Sequence, residues 1–531
     1  MRKIYLSACF VGVLLLTNCH DDLNTVNPNN LTSATYFKNA SELREAVNSI
    51  YAVAHSNRLA SREWFFAHSL RSPDHKPGGG QLETHRRAVI EGTVAPGNGV
   101  GTEIWNGFYT LIHRANTVIA NAATAEGDAA SIKQSLGEAK FLRAWAYYEL
   151  VNFFGGVPVY TAPVAGVDAF APRSTPEEVY KLVVQDLIDA QTNLTAGQTM
   201  ANQPSDSKGR ATADAATAML GKAYIQQGDY AKAKVELEKL VGRYSLTPVY
   251  NHNFREENEF NSESIWEINY VGRPSDNGYN WDGEGNGQTA AQSTVRSQET
   301  SPIAWRNLIP AEYLINEYEV PETGSPKRDP RLDYTVYFTG DLYDAGTKTL
   351  TDAQQNGETT NFHGKTLKAS WEKYTVIYQK LRSQPTETNL LDPGFHPGGI
   401  NTRVIRYAEV LLLLAECENE VGTQAAAVAY LNQLRNRADV MMPDYPNAQF
   451  PTGSKEQVYQ AIVHESAVER GGEEGRDFDI MRWMKKGVIT SPYTLFTFNP
   501  ARDYVLPIPS DEVNRNPELS SSGLPAQNPN Y

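Results

Sequence analysis

TAMLGKAYIQQGDYAKAKVELEKLV, residues 217–241, sets small and apolar side chains at the intervals of two short antiparallel helices joined by a tight turn. Leu220, Gly221, Tyr224, Gly228, Tyr230, Ala233 and Leu237 fall at the spacings of a tetratricopeptide unit. The small Gly221 lets the two helices approach, and Gly228-Asp229 supplies the turn between them. Thr217 stands where such units open on tryptophan. A second copy occupies 411–434, with Leu411, Leu414, Ala415, Gly422, Ala427, Leu431 and Leu434 in register and Glu418 in place of a tyrosine. Segments 104–121 and 136–154 read as helices of further, degenerate units. One unit cannot bury its own apolar face. The copies therefore predict a mainly α, tetratricopeptide-like helical repeat scaffold stacked around a continuous core.

Outward from these repeats the character changes. Residues 242–404 are rich in Gly, Pro, Asn, Asp and aromatics, with short strand-like runs at 264–270, 334–338 and 374–378. A long irregular region of this kind is usually functional surface, so we expect a loop-rich lobe. Two Gly/Pro-rich loops, SPDHKPGGGQLE (72–83) and VAPGNGVG (94–101), interrupt the first helices, which begin near Ser41.

The 531 residues carry 40% hydrophobic side chains and 10% aromatics, enough for a real core. Net charge is −14, and no lysine/arginine run is long enough to track a phosphate backbone, so nucleic acid is not an expected partner. At the amino end Arg2 and Lys3 precede a short apolar run that stops in LLLTNCHDD (14–22). That run is too short to span a bilayer and reads as a signal peptide, residues 1–18. Leu16-Thr17-Asn18-Cys19 resembles the lipobox of bacterial lipoproteins, which makes Cys19 the expected lipid anchor, with Asn18 a departure from the usual Gly, Ala or Ser. The polar segment 19–40 then reads as a leader holding the body off a membrane. Cys417 lies on an apolar helix and is expected to be a small buried hydrophobe.

Seven motifs, in order, resemble the SusD/RagB family of outer-membrane nutrient-binding lipoproteins. They are EAKFLRAWAYYELVNFFGGVPV (138–159), NSESIWEINY (261–270), DPRL (329–332), VIRYAEVLLLLAECENEVG (404–422), AAVAYLNQLRNRADV (426–440), RDFDIMRW (476–483) and the closing stretch 503–531. The resemblance implies a SusD-like division into an N-terminal helical region (41–241), the ligand-binding lobe (242–404) and a C-terminal helical region (405–531). It also implies a cell-surface protein, lipid-anchored in the outer membrane, that captures oligosaccharides, or peptides in some branches, for a SusC-like TonB-dependent transporter. One departure is Glu469-Arg470-Gly471-Gly472-Glu473-Glu474, where the family's last long helix is usually apolar. Glycines inside a helix cost about 1 kcal/mol each, so a broken helix, or one covering less core, is expected here.

Sugar hydroxyls exchange water hydrogen bonds for protein ones at small net gain, so affinity leans on flat aromatic faces with polar groups at their edges. Of eight tryptophans, Trp105, Trp145, Trp266 and Trp483 sit in periodic or motif segments and are expected in the core. Trp281, in DNGYNWDGEGNG (276–287), is the leading ligand-binding candidate, with Tyr279 beside it. Trp64 and Trp305 follow, then Trp371. Asn277, Asp282, Arg296, Asp74 and His75 are candidate hydrogen-bonding partners. Asp282, Glu284 and Asn286 also alternate like a calcium loop with Gly287 at the turn, but Ser293 stands where the bidentate glutamate belongs, and no metal or cofactor is expected. No HExxH, GxSxG or P-loop occurs, and the adjacent carboxylates Glu256/Glu257 and Glu473/Glu474 point apart on a helix. The sequence thus reads as a binding protein rather than an enzyme. The alternatives are a peptide-binding member, a lipid-anchored glycoside hydrolase and a tetratricopeptide adaptor.

Overall fold

The computed structural model describes residues 36–164, 166, 169–271, 293–343, 348–375 and 398–531. Helices α1 (Ala40–Ala54), α2 (Glu63–Arg71), α3 (Thr84–Ile90), α4 (Gly99–Ala122), α5 (Ala129–Phe154), α6 (Pro176–Asn193), α7 (Ala213–Gln226) and α8 (Tyr230–Glu238) form the first half. Most start on a side chain that accepts a hydrogen bond from the first turn: Asn98 for α4, Asp128 for α5, Thr212 for α7 and Asp229 for α8. Each such cap stabilises its helix by about 1 kcal/mol. Thr175 opens α6 with a reciprocal capping box to Glu178 and Pro176 in the first turn.

From α4 onward each helix packs on the next, through α5, α6 and α7 to α8. Gly221 is required at the α7–α8 crossing, where an added Cβ would sit 2.5 Å from the Leu237 side chain; Gly228 makes the turn at φ +77°. The stack then continues across a gap in sequence. Helix α8 packs on α9 (Tyr407–Val421), which pairs with α10 (Gln424–Arg435) and α11 (Lys455–Arg470), followed by α12 (Arg476–Lys486). Lys222–Glu409 at 2.8 Å and Lys234–Glu418 at 2.7 Å tie the seam. Glu418, standing where a tyrosine is usual, therefore serves as the ionic partner of the preceding repeat. Residues between α8 and α9 are an insertion between two consecutive units of one stack.

Helix α5 is buried on almost every side from Phe141 to Phe154, being enclosed by α1, α4 and α6. Trp105, Trp145, Trp266 and Trp483 are all buried in the main core, as expected from their periodic settings. Cys417 is fully buried too, and burial pushes its thiol pKa up. No helix among the described residues is long and apolar enough to cross a membrane.

The insertion is built from short antiparallel pairs. Strand β1 (His75–Pro77), contributed by the loop after α2, pairs with β3 (Leu308–Pro310), while β2 (Ser264–Ile268) pairs with β10 (Thr402–Arg406). Between them lie β4 (Val336–Phe338), β5 (Leu342–Tyr343), β6 (Lys348–Thr349), β7 (Thr360–Phe362), β8 (Lys365–Leu367) and β9 (Ala369–Trp371), paired β4–β9, β5–β6 and β7–β8. The β2–β10 pair brings the two ends of the insertion together. The expected run at 264–270 is thus β2. Tyr334 and Thr335 instead close a short helix before β4, and Tyr374 lies in a turn at φ +61°. Positions 376–378 lie outside the described residues. The lobe has a small core of its own, with Leu314, Tyr318, Leu332, Val336 and Trp371 packed on Ala467 and Val468 of α11.

The glycine-containing stretch 469–474 corrects one expectation. Helix α11 does end at Arg470, and Gly472 follows at φ +77°. Yet the segment covers more of the interior rather than less: Glu469 is fully buried, and Arg470, Glu473 and Glu474 are buried around it. Glu469 accepts from Arg331 at 3.0 Å and from Arg406 and Arg437 at 2.7 Å each. Arg406 also holds Glu263 and Glu473, Arg437 holds Glu263, and Arg331 holds Asp329 and Glu465. Burial alone would raise the Glu473 pKa, but Arg406 and Lys373 overcome it and hold the carboxyl down to about 2. The charged residues of DPRL, SIWE-flanking Glu263, VIRY and LRNR are therefore one buried ionic network joining lobe to stack.

Candidate functional site

Asn277, Tyr279, Trp281 and Asp282, together with the calcium-like alternation up to Gly287, lie outside the described residues. Their stems do not. Tyr270 donates its N–H to Asn401 Oδ1 at 2.7 Å, and Thr294 and Gly398 exchange backbone hydrogen bonds at 2.9 and 2.8 Å. The guanidinium of Arg296 lies over the Tyr374 ring at 3.8 Å. The described residues that flank 272–292 and 376–397 therefore contact one another. The Thr294 hydroxyl and the Val295 N–H both reach the Ser61 carbonyl, at 3.1 and 3.4 Å, which seats these stems on the entry to α2.

Beneath the stems is a packed floor. Asp74 accepts from Arg476 Nε at 3.0 Å and from the Gly472 N–H at 3.1 Å. Arg296 pairs with Glu474 at 2.6 Å and donates to the Gly472 carbonyl at 3.2 Å. His75 rests against Trp371 with ring centroids 4.5 Å apart, and Trp371 in turn abuts Gly472, where an added Cβ would come within 2.5 Å of the indole. Four residues singled out from sequence, Asp74, His75, Arg296 and Trp371, therefore do converge. They converge inside the protein, at 0%, 6%, 5% and 3% exposure. This corrects the expectation that His75 and Arg296 meet a ligand at the surface. Groups distant in sequence bury them: Trp371 covers His75, and Tyr374, Gly472 and Glu474 surround Arg296. Burial also draws the His75 pKa down to about 3, leaving a neutral ring.

Trp64 is likewise corrected. It is 1% exposed, edge-on to Trp145 at 5.7 Å and to His68 at 4.9 Å, so no ring face is open to a sugar. Trp305 is half-buried, its backbone N–H donating to the Gln298 carbonyl of the short helix Arg296–Thr300, and it keeps part of its surface. Among the described candidates it is the tryptophan with accessible area.

One organising residue escaped sequence reading. The buried Arg306 side chain donates to the carbonyls of Gly78, Asn356, Glu358 and Ala369, at 3.3, 2.5, 3.1 and 2.7 Å, and to the Ser370 hydroxyl at 2.8 Å. It pins the glycine loop after β1 to two segments of the lobe through backbone oxygens. Burial lowers its pKa to about 10. Nothing in SPIAWRNLIP marks this arginine, because its acceptors are backbone groups carried by other segments.

A tetratricopeptide-like stack interrupted by a loop-rich lobe, with paired loop stems on a rigid ionic and aromatic floor, is the class of protein that fold and site define. A family model described as the SusD family matches residues 262–531, and one described as "Starch-binding associating with outer membrane" matches residues 24–225. The chain belongs to the SusD family. It is 26% identical to SusD-like protein P2 of Formosa agariphila, with 100% of both chains covered. A laminarin-binding SusD-like protein superposes with TM-score 0.70 and 25% identity, covering 93% of this chain and all of that one. Surface glycan-binding protein A from Bacteroides thetaiotaomicron, solved in complex with laminarihexaose, gives TM-score 0.70 at 21% identity over 92% of this chain and 99% of the other.

Proposed function

We propose that the chain is a cell-surface lipoprotein that binds oligosaccharide without chemistry and passes it to a SusC-like TonB-dependent transporter in the outer membrane. Cys19 is the lipid anchor. The ligand grips the aromatic segment between the paired stems, with Trp281 and Tyr279 as ring platforms and Asn277 and Asp282 at their edges; Trp305 extends the surface. The single observation that carries this reading is the full-length superposition on a laminarin-binding relative. The stems support it, since recognition groups work best on a rigid base.

Trp281→Ala should lower the retention of the protein in native gels containing laminarin or starch while leaving its thermal unfolding unchanged. Unchanged retention removes Trp281 from the site. Cys19→Ala should release the protein from the membrane fraction, and continued membrane association contradicts the anchor.

A further inference from the structure

Helix α4 carries a groove lined by none of the residues that form the stems and floor described above. A cavity of about 560 Å³ opens along it, a volume in the range of small-ligand sites. Asn106, Tyr109, Thr110 and His113 line it at the i, i+3, i+4, i+7 spacing of one helix face, and Arg58, Tyr160 and Glu512 are also in the lining. Three rings stand in series: Trp105 lies 4.9 Å from Tyr109, and Tyr109 lies 6.0 Å from Tyr160. Trp105 is buried behind the other two, which are half-buried and held in place. Tyr109 Oη donates to the Pro158 carbonyl at 2.7 Å, and Tyr160 Oη accepts from the Ala171 N–H at 3.1 Å.

The polar groups define the chemistry of the occupant. Asn106 and His113 are exposed at the two ends of the stripe, about 10 Å apart along the axis at 1.5 Å per residue. Thr110 gives its proton to the Asn106 carbonyl at 2.8 Å, which leaves its oxygen as an acceptor. Glu512 and Arg58, the latter paired with Glu103 at 2.8 Å, set charges of both signs in the lining, which favours neither an anion nor a cation. Fixed rings flanked by amide, imidazole, hydroxyl and carboxylate suit a molecule with apolar ring faces and hydroxyl edges. We propose that the α4 groove is a second site for a short, uncharged oligosaccharide, separate from the segment that carries Trp281. This rests on the carbohydrate reading above, and the test separates the two.

Titration calorimetry of the intact chain with laminarihexaose and with maltohexaose gives the number of sugars bound. Asn106→Trp, an exposed position, fills the groove without disturbing the core, and thermal unfolding checks that the fold is kept. The wild type is expected to bind two molecules of at least one probe and Asn106→Trp one. His113→Ala should weaken the second event by about 2- to 10-fold, the loss of one hydrogen bond. Trp281→Ala should also bind one sugar, at the groove. A single event in the wild type that survives Asn106→Trp unchanged overturns the groove while leaving the loop site intact. Binding of neither probe by any form overturns both. Unchanged stoichiometry in Asn106→Trp, with loss of co-purification with a membrane transporter, overturns the sugar assignment in favour of a protein contact.

Discussion

Glu469 shows what single side chains do in this protein. Three buried guanidinium groups converge on it, and Arg406 and Arg437 bring a further carboxylate, Glu263, into the same cluster. Removing one member of a buried pair leaves unpaired charge, which costs roughly 3–5 kcal/mol. Glu469→Ala should therefore lower the unfolding free energy read from urea titration by that amount without changing the far-ultraviolet spectrum of what remains folded; a loss under 1 kcal/mol contradicts the network. His68 offers a pH test. It lies between Asp477 at 2.6 Å and Glu149 at 3.1 Å, and these carboxylates overcome burial to raise its pKa from 6.5 to about 10. The folded state thus holds a proton the unfolded state releases. That stabilisation is fully present below about pH 6.5 and is lost as pH rises towards 10. The melting temperature should fall across this window, and His68→Gln should flatten the fall; a wild-type profile that stays level from pH 7 to 10 contradicts the charged pair. The charged residues are visible in the motifs, but their pairing is not, because Arg331 and Glu465 are 134 positions apart.

At the scale of elements, the repeats were legible because their spacing is local. Gly221 and Leu237 belong to one helix pair, and a sequence pattern reports such contacts directly. Gly221→Val should destabilise by about 1–3 kcal/mol through overpacking against Leu237. Adding Leu237→Ala should recover part of that loss, and strictly additive losses would show that the close approach is absent. The lobe was legible as irregular and aromatic, and β2 and part of β4 were readable as strands. Which loop residues face solvent was not. Asp74 and His75 lie in a Pro/Gly-rich stretch, and their burial comes from partners far off in sequence: Gly472 and Arg476 on Asp74, and Trp371 on His75. The glycines at 471 and 472 looked like a weakness inside a helix. They are its end, and they let Trp371 and Leu314 pack against bare backbone. Tyr109 is not legible as a groove residue, because an aromatic residue on a helical stripe reads as core, yet its ring is half-buried.

For the whole molecule, the lobe is an insertion between two neighbouring units of one stack, and this arrangement ties it into the fold twice. The β2–β10 pair joins its ends, and the Arg331–Glu465–Glu469–Arg406 network links its interior to α11. Lobe and stack should consequently unfold together, in one calorimetric transition; two separated transitions would show that they are independent bodies. A rigid base of this kind suits capture of a ligand by loops, with the cargo left unaltered. The most direct test is to incubate the purified chain with laminarihexaose and maltohexaose, measure binding by calorimetry, and recover the sugars for chromatography. The account predicts saturable binding of at least one of them, with every recovered molecule still six units long. Shortened sugars, or no binding of either, would contradict it.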